Sequence, residues 1–313
     1  MVPTTAKEQS MSHVFFIPFD PAVTPADEFT LETALSLIEG LETYNFEDYG
    51  EDDEKVALPL DTPVRKLDRL PRLGVPGETA RGFEIAEAAD TVSVRINAPS
   101  SSTDWIYALR YLASLSAHFG TPSIYDEDNE VYDAESILSF DYGTHIEYGI
   151  ESLGRALEES KSDVIGVPCE TCTFHVDDEV YHLIVDDDDP VQAFSRMINN
   201  VENIDAFRPR VIACRAENGD VTGYYVVSAG ISNAIPYDPA RTAETAAVGI
   251  DEWRAILNHG AGGEEDDALC EVPYRHFIDA LGEEDYEFID ASTILVRPFE
   301  AGELKALYER CRS

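Results

Sequence analysis

The 313-residue chain carries 62 aspartates and glutamates against 22 lysines and arginines, for a formal net charge of −40 at pH 7. Hydrophobic residues make up 44% of it, a proportion that is ordinary for a globular protein and too high for wholesale disorder. The charge argues against binding to nucleic acid or to an anionic membrane face, because phosphate groups would be repelled.

The acidity itself has two interpretations. Acidic side chains spread over a surface keep a protein soluble, and they suit a cytoplasm of high salt concentration. The same charge is suited to docking a basic protein partner, for example by mimicking nucleic acid. Composition alone leaves both interpretations open.

The cysteines and the first residues of the chain indicate a reducing compartment. An odd number of cysteines in a chain of this length does not favour a disulfide framework. Residues 1–10 contain one lysine and no apolar run, so they predict neither a secretory signal nor a membrane span. We therefore expect a cytoplasmic location. The five cysteines are Cys169, Cys172, Cys214, Cys270 and Cys311.

In the first half of the chain, the clearest prediction is a helix that follows Ser101. Ser101 is a good N-cap residue, and Gly120 supplies a stop. Between Ser101 and Gly120, apolar residues that include Trp105, Leu109 and Leu112 recur at helical spacing. The predicted elements in this half are a strand over 14–19, a helix over 31–43, an acidic loop over 47–54, paired strands over 83–85 and 91–97, the helix ending at 119, a hairpin over 123–132 and a helix over 144–159.

In the second half, short strands become more frequent. Asn218-Gly219-Asp220 is the clearest hairpin turn of the chain, and Asp189 with Pro190 predicts the start of a helix. The predicted elements are strands over 164–167, 173–176 and 180–185, a helix over 190–201, strands over 211–216 and 222–228, helices over 251–259, 274–281 and 303–311, and late strands over 287–296.

The order of these elements predicts the fold class. Antiparallel hairpins alternate with single helices, which is typical of an α+β protein with mixed sheets covered by helices rather than of a doubly wound sheet. We predict an N-terminal α+β domain over 12–160 and a C-terminal α+β domain over 163–313. A single continuous unit is the alternative.

One pair of motifs indicates a specific chemistry. His145-Ile146-Glu147 and Pro168-Cys169-Glu170-Thr171-Cys172 match, in order, the H-x-E and P-C-x-x-C elements of the zinc deaminases. The resemblance implies that His145, Cys169 and Cys172 bind zinc. Glu147 would then carry protons between the zinc-bound water and the amino group displaced from a nucleobase or nucleoside.

Two features of the sequence disagree with the deaminase pattern. Residues 173–176 are predicted to be extended, whereas in the deaminases the two cysteines open a helix. The stretch between the two motifs is also short for that family. The alternatives are ordinary thiols at a strand end, or a structural metal site formed by Cys169, Cys172 and either His175 or His182.

Several stretches of the chain resemble a family of functionally uncharacterised bacterial proteins of about 300 residues, a domain of unknown function. The resemblance spans most of residues 12–240 and implies no activity. The stretches are Val14-Phe15-Phe16-Ile17, Ala80-Arg81-Gly82-Phe83-Glu84, Pro99-Ser100-Ser101 with Asp104-Trp105, and Ser139-Phe140-Asp141-Tyr142 with Gly149-Ile150-Glu151-Ser152-Leu153.

The sequence therefore yields a main hypothesis and an alternative from a different class. The main hypothesis is an acidic cytoplasmic protein that binds another, basic protein without catalysis, as an inhibitor or immunity-type module does, and that needs no cofactor. The alternative is a zinc-dependent deaminase that uses His145, Glu147, Cys169 and Cys172. Whether the protein is an enzyme is left open, and neither hypothesis involves nucleic-acid binding or a membrane.

Overall fold

The computed structural model describes residues 12–22, 28–44, 59–160, 162–241, 249–259 and 269–312. The acidic loop predicted over 47–54 lies outside these ranges. The chain forms two compact units, and each is discontinuous in sequence. The first comprises the described parts of Met1–Ala156 together with Pro168–Thr173 and His182–Asn203. The second comprises Leu157–Val167, Phe174–Tyr181 and the described parts of Ile204–Ser313. Residues 168–173 and 182–203 thus belong with the N-terminal half of the chain.

The first unit is built on a seven-stranded antiparallel sheet in the order β2-β3-β4-β5-β1-β6-β7. Its centre is the pairing of β1 with β5, in which Phe15 lies opposite Val94. Phe15 and Ile17 are buried while Phe16 between them is exposed, as the two-residue period of a strand requires. The strands are β1 (Ser12–Pro18), β2 (Glu42–Thr43), β3 (Arg72–Gly74), β4 (Phe83–Glu87), β5 (Thr91–Asn97), β6 (Ile124–Asp126) and β7 (Val131–Tyr132).

The longest helix of this unit, α2 (Ser102–Phe119), has the limits that its sequence predicts. Ser101 and Asp104 form a capping box at its start, and Gly120 ends it with a left-handed φ of 63°. Trp105, Leu109 and the other apolar residues of its stripe are buried. The helix contacts β1 and β5, so its apolar face covers the middle of the sheet.

The other helices show one correction. The helix predicted over 31–43 is α1 (Leu31–Ser36), and its predicted end lies in strand β2. Pairing of Glu42 and Thr43 with β3 supplies backbone hydrogen bonds that a longer helix would forfeit. The predictions for α3 (Gly143–Glu159) and α5 (Pro190–Glu202) are confirmed, and Asp189 caps α5 by accepting from the Gln192 amide at 3.1 Å.

The strand predicted over 180–185 is wrong, because these residues form helix α4 (Asp178–Val185). A carboxylate oxygen of Asp177 accepts from the Val180 amide at 2.9 Å, which caps the first turn. Val180 and Ile184, one helical turn apart, are its most buried residues. The helix follows a two-stranded sheet of β8 (Ile165–Pro168) and β9 (Thr173–Val176), both predicted.

The second unit holds a four-stranded sheet, β10-β11-β13-β14, and a three-stranded sheet, β12-β16-β15. Its core includes Val227, Leu257, Phe277 and Leu307. The elements are β10 (Ile212–Arg215), β11 (Val221–Ser228), β12 (Asn233–Pro236), β13 (Glu252–Asn258), β14 (Leu269–Pro273), α6 (Tyr274–Ala280), β15 (Tyr286–Phe288), β16 (Thr293–Val296) and α7 (Ala301–Cys311).

Strand β13 overturns the helix predicted over 251–259. It pairs in parallel with β11 and antiparallel with β14, and Ala255 and Leu257 are its buried residues, in strand alternation. Gly223 of β11 makes room for this pairing, since a Cβ at that position would lie 2.6 Å from the Trp253 ring.

Apart from this parallel pair, the strand pairings of the seven-, four- and three-stranded sheets are antiparallel. This confirms the α+β prediction. Over the described ranges, no helix combines the length and apolar character needed to cross a bilayer.

Candidate functional site at the Cys-x-x-Cys turn

The Cys169-x-x-Cys172 motif forms a tight turn between β8 and β9. The Cys169 amide donates to the Cys172 carbonyl at 2.8 Å, which closes the turn and brings both side chains close together. Thr173–Val176 continue as a strand, as predicted. Cys169 is buried and Cys172 half-buried, and none of the five cysteines is in a disulfide.

Glu202 is the last residue of α5, and its side chain contacts this turn. One of its carboxylate oxygens accepts from the Thr171 amide at 3.0 Å and from the Thr171 hydroxyl at 2.7 Å. The other oxygen accepts from the Cys172 thiol at 3.2 Å. Glu202 is 7% exposed, so its charge lies out of bulk water and is met by the turn itself.

Cys169, Cys172 and Glu202 form a potential metal-binding group. The two sulfurs and a carboxylate oxygen all lie within 4.8 Å of one another. Among the residues that the structure describes, this is the one set of three or more His, Cys, Asp or Glu side chains with that property. All three residues belong to the first unit.

The structure brings the two predicted cysteines together but does not place His145 in this group. The His145 ring belongs to an aromatic cluster, with ring centroids 4.5 Å from His13, 5.1 Å from Trp105 and 5.4 Å from Phe140. Burial there lowers its pKa, although nearby carboxylates act in the opposite direction. Glu147 is exposed on helix α3.

The two alternative histidine ligands also have other surroundings. His175 is buried in the second unit, where its Nδ1 lies 3.3 Å from a carboxylate oxygen of Asp290. His182 is exposed on α4 and pairs with Asp186 at 3.6 Å. Neither histidine belongs to the donor group at the turn.

Glu170, inside the turn, points into the first unit. Its carboxylate accepts from the Thr79 hydroxyl at 2.8 Å, and its amide donates to the Ala80 carbonyl at 2.8 Å. Glycines at 74 and 82 leave the space that its side chain fills, since a Cβ at either position would collide with the carboxylate. Burial, reinforced by the charges of Asp104 and Glu202, raises the pKa of Glu170 to about 8.

Arg81 anchors the start of the turn. Its Nε donates to the Pro168 carbonyl at 2.7 Å, and its terminal nitrogen donates to the carbonyls of Asn97 and Pro99. Burial lowers its pKa, while the nearby Cys169 and Asp104 raise it. A positive charge is thus held beside Cys169.

Asp104 organises the loop that carries Arg81. One carboxylate oxygen accepts from the amides of Ala80, Arg81 and Gly82 at 2.8–3.0 Å, and the other accepts from the Ser101 amide and hydroxyl, both at 2.8 Å. The side chain is fully buried. Its five donors fix the loop against the start of α2.

Sequence reasoning missed Glu202, Glu170, Arg81 and Asp104 as members of this site. The sequence marks Asp104 through the Ser101 capping pattern and shows Glu170 inside the C-x-x-C motif. Glu202 carries no such signal, because it lies 30 residues after Cys172 and its helix is an ordinary amphipathic one.

The fold and site define an acidic α+β protein with a buried thiol and carboxylate cluster. Residues 12–307 match the family model described as Domain of unknown function (DUF4299), and the chain belongs to that family. This confirms the resemblance to a family of unknown function. No curated protein and no solved structure matches the chain significantly.

Proposed function

We propose that this protein is a non-catalytic binding module that engages a basic protein through the acidic segment, residues 126–151. Between positions 111 and 154 the sequence contains nine aspartates and glutamates and no lysine or arginine. Eight of these acidic side chains are exposed, the exception being the buried Asp126. The proposal rests on this observation: a stretch of the first unit exposes negative charge and contains no basic residue.

The acidic segment also exposes apolar surface. Val131 in the edge strand β7 is 59% exposed, and Leu138 in the following turn is 52% exposed. Buried apolar contacts supply most of the free energy of a protein interface, whereas complementary charges raise the association rate and select the partner. The acidic segment offers both kinds of contact.

Charge complementarity specifies the class of partner. A positively charged protein surface is attracted to the acidic segment, whereas nucleic acid and anionic lipid headgroups are repelled. An inhibitor or immunity-type protein that covers a basic active or nucleic-acid-binding surface would act in this way. Association is expected to weaken as salt concentration rises, since ions screen exposed charges.

The deaminase hypothesis stays a prediction from the sequence motifs. Its two cysteines lie together at one turn. Its histidine ligand, His145, lies on α3 in the aromatic cluster, and its proton carrier, Glu147, is exposed on the same helix. No observation of the site favours it over the binding module.

Two charge-matched variants test the binding proposal. The test variant combines Glu135→Gln, Glu147→Gln and Glu151→Gln in the acidic segment. The control combines Glu283→Gln, Glu284→Gln and Glu287→Gln, three exposed residues of the second unit. Partners are captured from cells of the source organism at physiological salt, identified, purified and titrated against each form by calorimetry.

The proposal expects a basic partner whose affinity falls by about tenfold or more in the test variant and stays unchanged in the control. Leu138→Ser should weaken the same complex through slower association or faster dissociation. Failure to recover any basic partner, or equal losses in the two triple variants, would overturn the proposal.

A further inference from the structure

We propose that the Cys-x-x-Cys turn is a zinc site whose ligands are the Cys169 and Cys172 sulfurs and the Glu202 carboxylate. This goes beyond the binding function proposed above and does not depend on it. It also differs from the deaminase ligand set, because Glu202 takes the place given to His145.

The donor set and its spacing suit zinc. Two cysteines separated by two residues are a common pair of zinc ligands, with Zn–S distances of about 2.3 Å, and a carboxylate oxygen binds at about 2.0–2.2 Å. Tetrahedral zinc with those bond lengths requires two sulfurs about 3.8 Å apart. The donor atoms here lie within 4.8 Å of one another, and the Cys172 sulfur lies 3.2 Å from a Glu202 oxygen, so side-chain movements of about 1 Å bring them to the distances that tetrahedral zinc requires.

The surrounding hydrogen bonds already hold the ligands in place. Thr171 donates twice to one oxygen of Glu202, which leaves the other oxygen directed at Cys172. The turn is fixed at its start by Arg81 and internally by the bond from Cys169 to Cys172. Such bonds to ligating carboxylates and to the ligand-bearing backbone are typical of zinc sites and contribute to affinity.

The local charges favour a bound divalent cation. Binding converts Zn²⁺, two thiols and one carboxylate into a complex of charge −1 with the release of two protons. Arg81 beside Cys169 and Asp104 beside Arg81 carry opposite charges, so the net charge of the group with zinc bound stays at −1. The Cys172 thiol donates to Glu202, and zinc would replace that proton between the same two atoms.

Within the described chain, the group contains three protein ligands. A tetrahedral site with three protein ligands leaves one position for water or for a group of a bound molecule. Counted over the described residues alone, the proposed site is therefore of the open kind rather than a closed structural one.

The test measures zinc bound by the full-length, untagged and reduced protein, by elemental analysis and by competition with a coloured chelator. Cys169→Ser, Cys172→Ser and Glu202→Gln alter the site, and Cys214→Ser, an exposed cysteine of the second unit, is the matched control. Circular dichroism of each variant shows that it is folded. Cobalt replacement reports thiolate ligands directly through their charge-transfer absorption.

We expect one tightly bound zinc in the wild type and in Cys214→Ser, and loss of stoichiometric zinc in either Cys169→Ser or Cys172→Ser. Glu202→Gln should keep the thiolate–cobalt absorption while its zinc affinity falls by about 10-fold or more, because a neutral amide oxygen is a weaker zinc ligand than a carboxylate. The proposal fails if the reduced wild type binds no zinc, if it forms a Cys169–Cys172 disulfide in place of the metal site under mild oxidation with zinc present, or if Glu202→Gln binds zinc as tightly as the wild type. Should the cysteine variants not fold, the wild type and Glu202→Gln still decide the question.

Discussion

Replacing Asp104 with alanine should be among the most destabilising single substitutions in the first unit. The fully buried carboxylate accepts from four backbone amides and one hydroxyl, and alanine leaves all of these donors without it. A buried donor that loses its partner costs about 1–3 kcal/mol. Four amides at the lower limit give about 4 kcal/mol, because water that enters the vacated space satisfies some of them.

Two further variants should lose less stability than Asp104→Ala, because each removes fewer hydrogen bonds. Asp104→Asn keeps one oxygen for Ala80, Arg81 and Gly82 but turns an amino group toward the Ser101 amide, so we expect a loss of about 2 kcal/mol. Asp189→Ala removes a cap that accepts from a single exposed amide and should cost about 1 kcal/mol.

Equilibrium urea unfolding measures these differences. The chain has two tryptophans, Trp105 in the first unit and Trp253 in the second. Fluorescence in a Trp253→Phe background therefore reports the unit that contains Asp104. If Asp104→Ala cost no more than Asp189→Ala, the account of Asp104 as the organiser of the 80–82 loop would be refuted.

Two other predictions concern packing and pH. Gly149→Ala should lower the free energy of unfolding by about 1–2 kcal/mol, because the added Cβ would lie 2.8 Å from Pro99 and overpacking outweighs the gain in helix propensity. Gly302→Ala has open space around its Cβ and should raise the free energy of unfolding by up to about 1 kcal/mol. Urea unfolding measures both changes. Burial and a neighbouring imidazole lower the pKa of His13 from 6.5 to about 4, so its contribution to stability is complete above pH 6.5 and is lost as the pH falls toward 4, by about 3 kcal/mol at most. The slope of unfolding free energy against pH should flatten in His13→Gln and not in the exposed control His276→Gln, and equal slopes in all three proteins would contradict this.

Local sequence signals predicted those elements whose ends are fixed within the chain itself. Helix α2 is the clearest case, since Ser101, Asp104 and Gly120 determine its limits through their own caps. The β10–β11 hairpin is similar, because Gly219 has a φ of 96° that its turn requires. These contacts span only a few residues, so they are visible in the sequence.

The misassigned elements are short apolar runs whose pattern fits a helix and a strand almost equally well. Residues 252–258 are extended because β11 and β14 offer backbone partners on both sides. Residues 178–185 are helical because the Asp177 cap and the burial of Val180 and Ile184 favour a turn of helix. In the first case the deciding interactions come from distant segments.

The same distinction applies to the candidate site. The spacing of Cys169 and Cys172 indicated a possible metal site, and their tight turn brings the two sulfurs together. The sequence also matched His145 to the cysteines by order along the chain, whereas the structure places Glu202 beside them and His145 among aromatic rings. Order along the sequence does not specify which helix end meets a turn.

By itself, the sequence determined the strong negative charge, the α+β class, the capped helices and the family, because these depend on composition and on contacts between near neighbours. Tertiary structure alone decided that Glu202 reaches the cysteine turn, that the pKa of Glu170 is raised, and that one carboxylate at Asp104 gathers five donors. Those features arise where segments far apart in sequence exclude water together. The cost of burying a polar group then depends on the partners that the fold supplies.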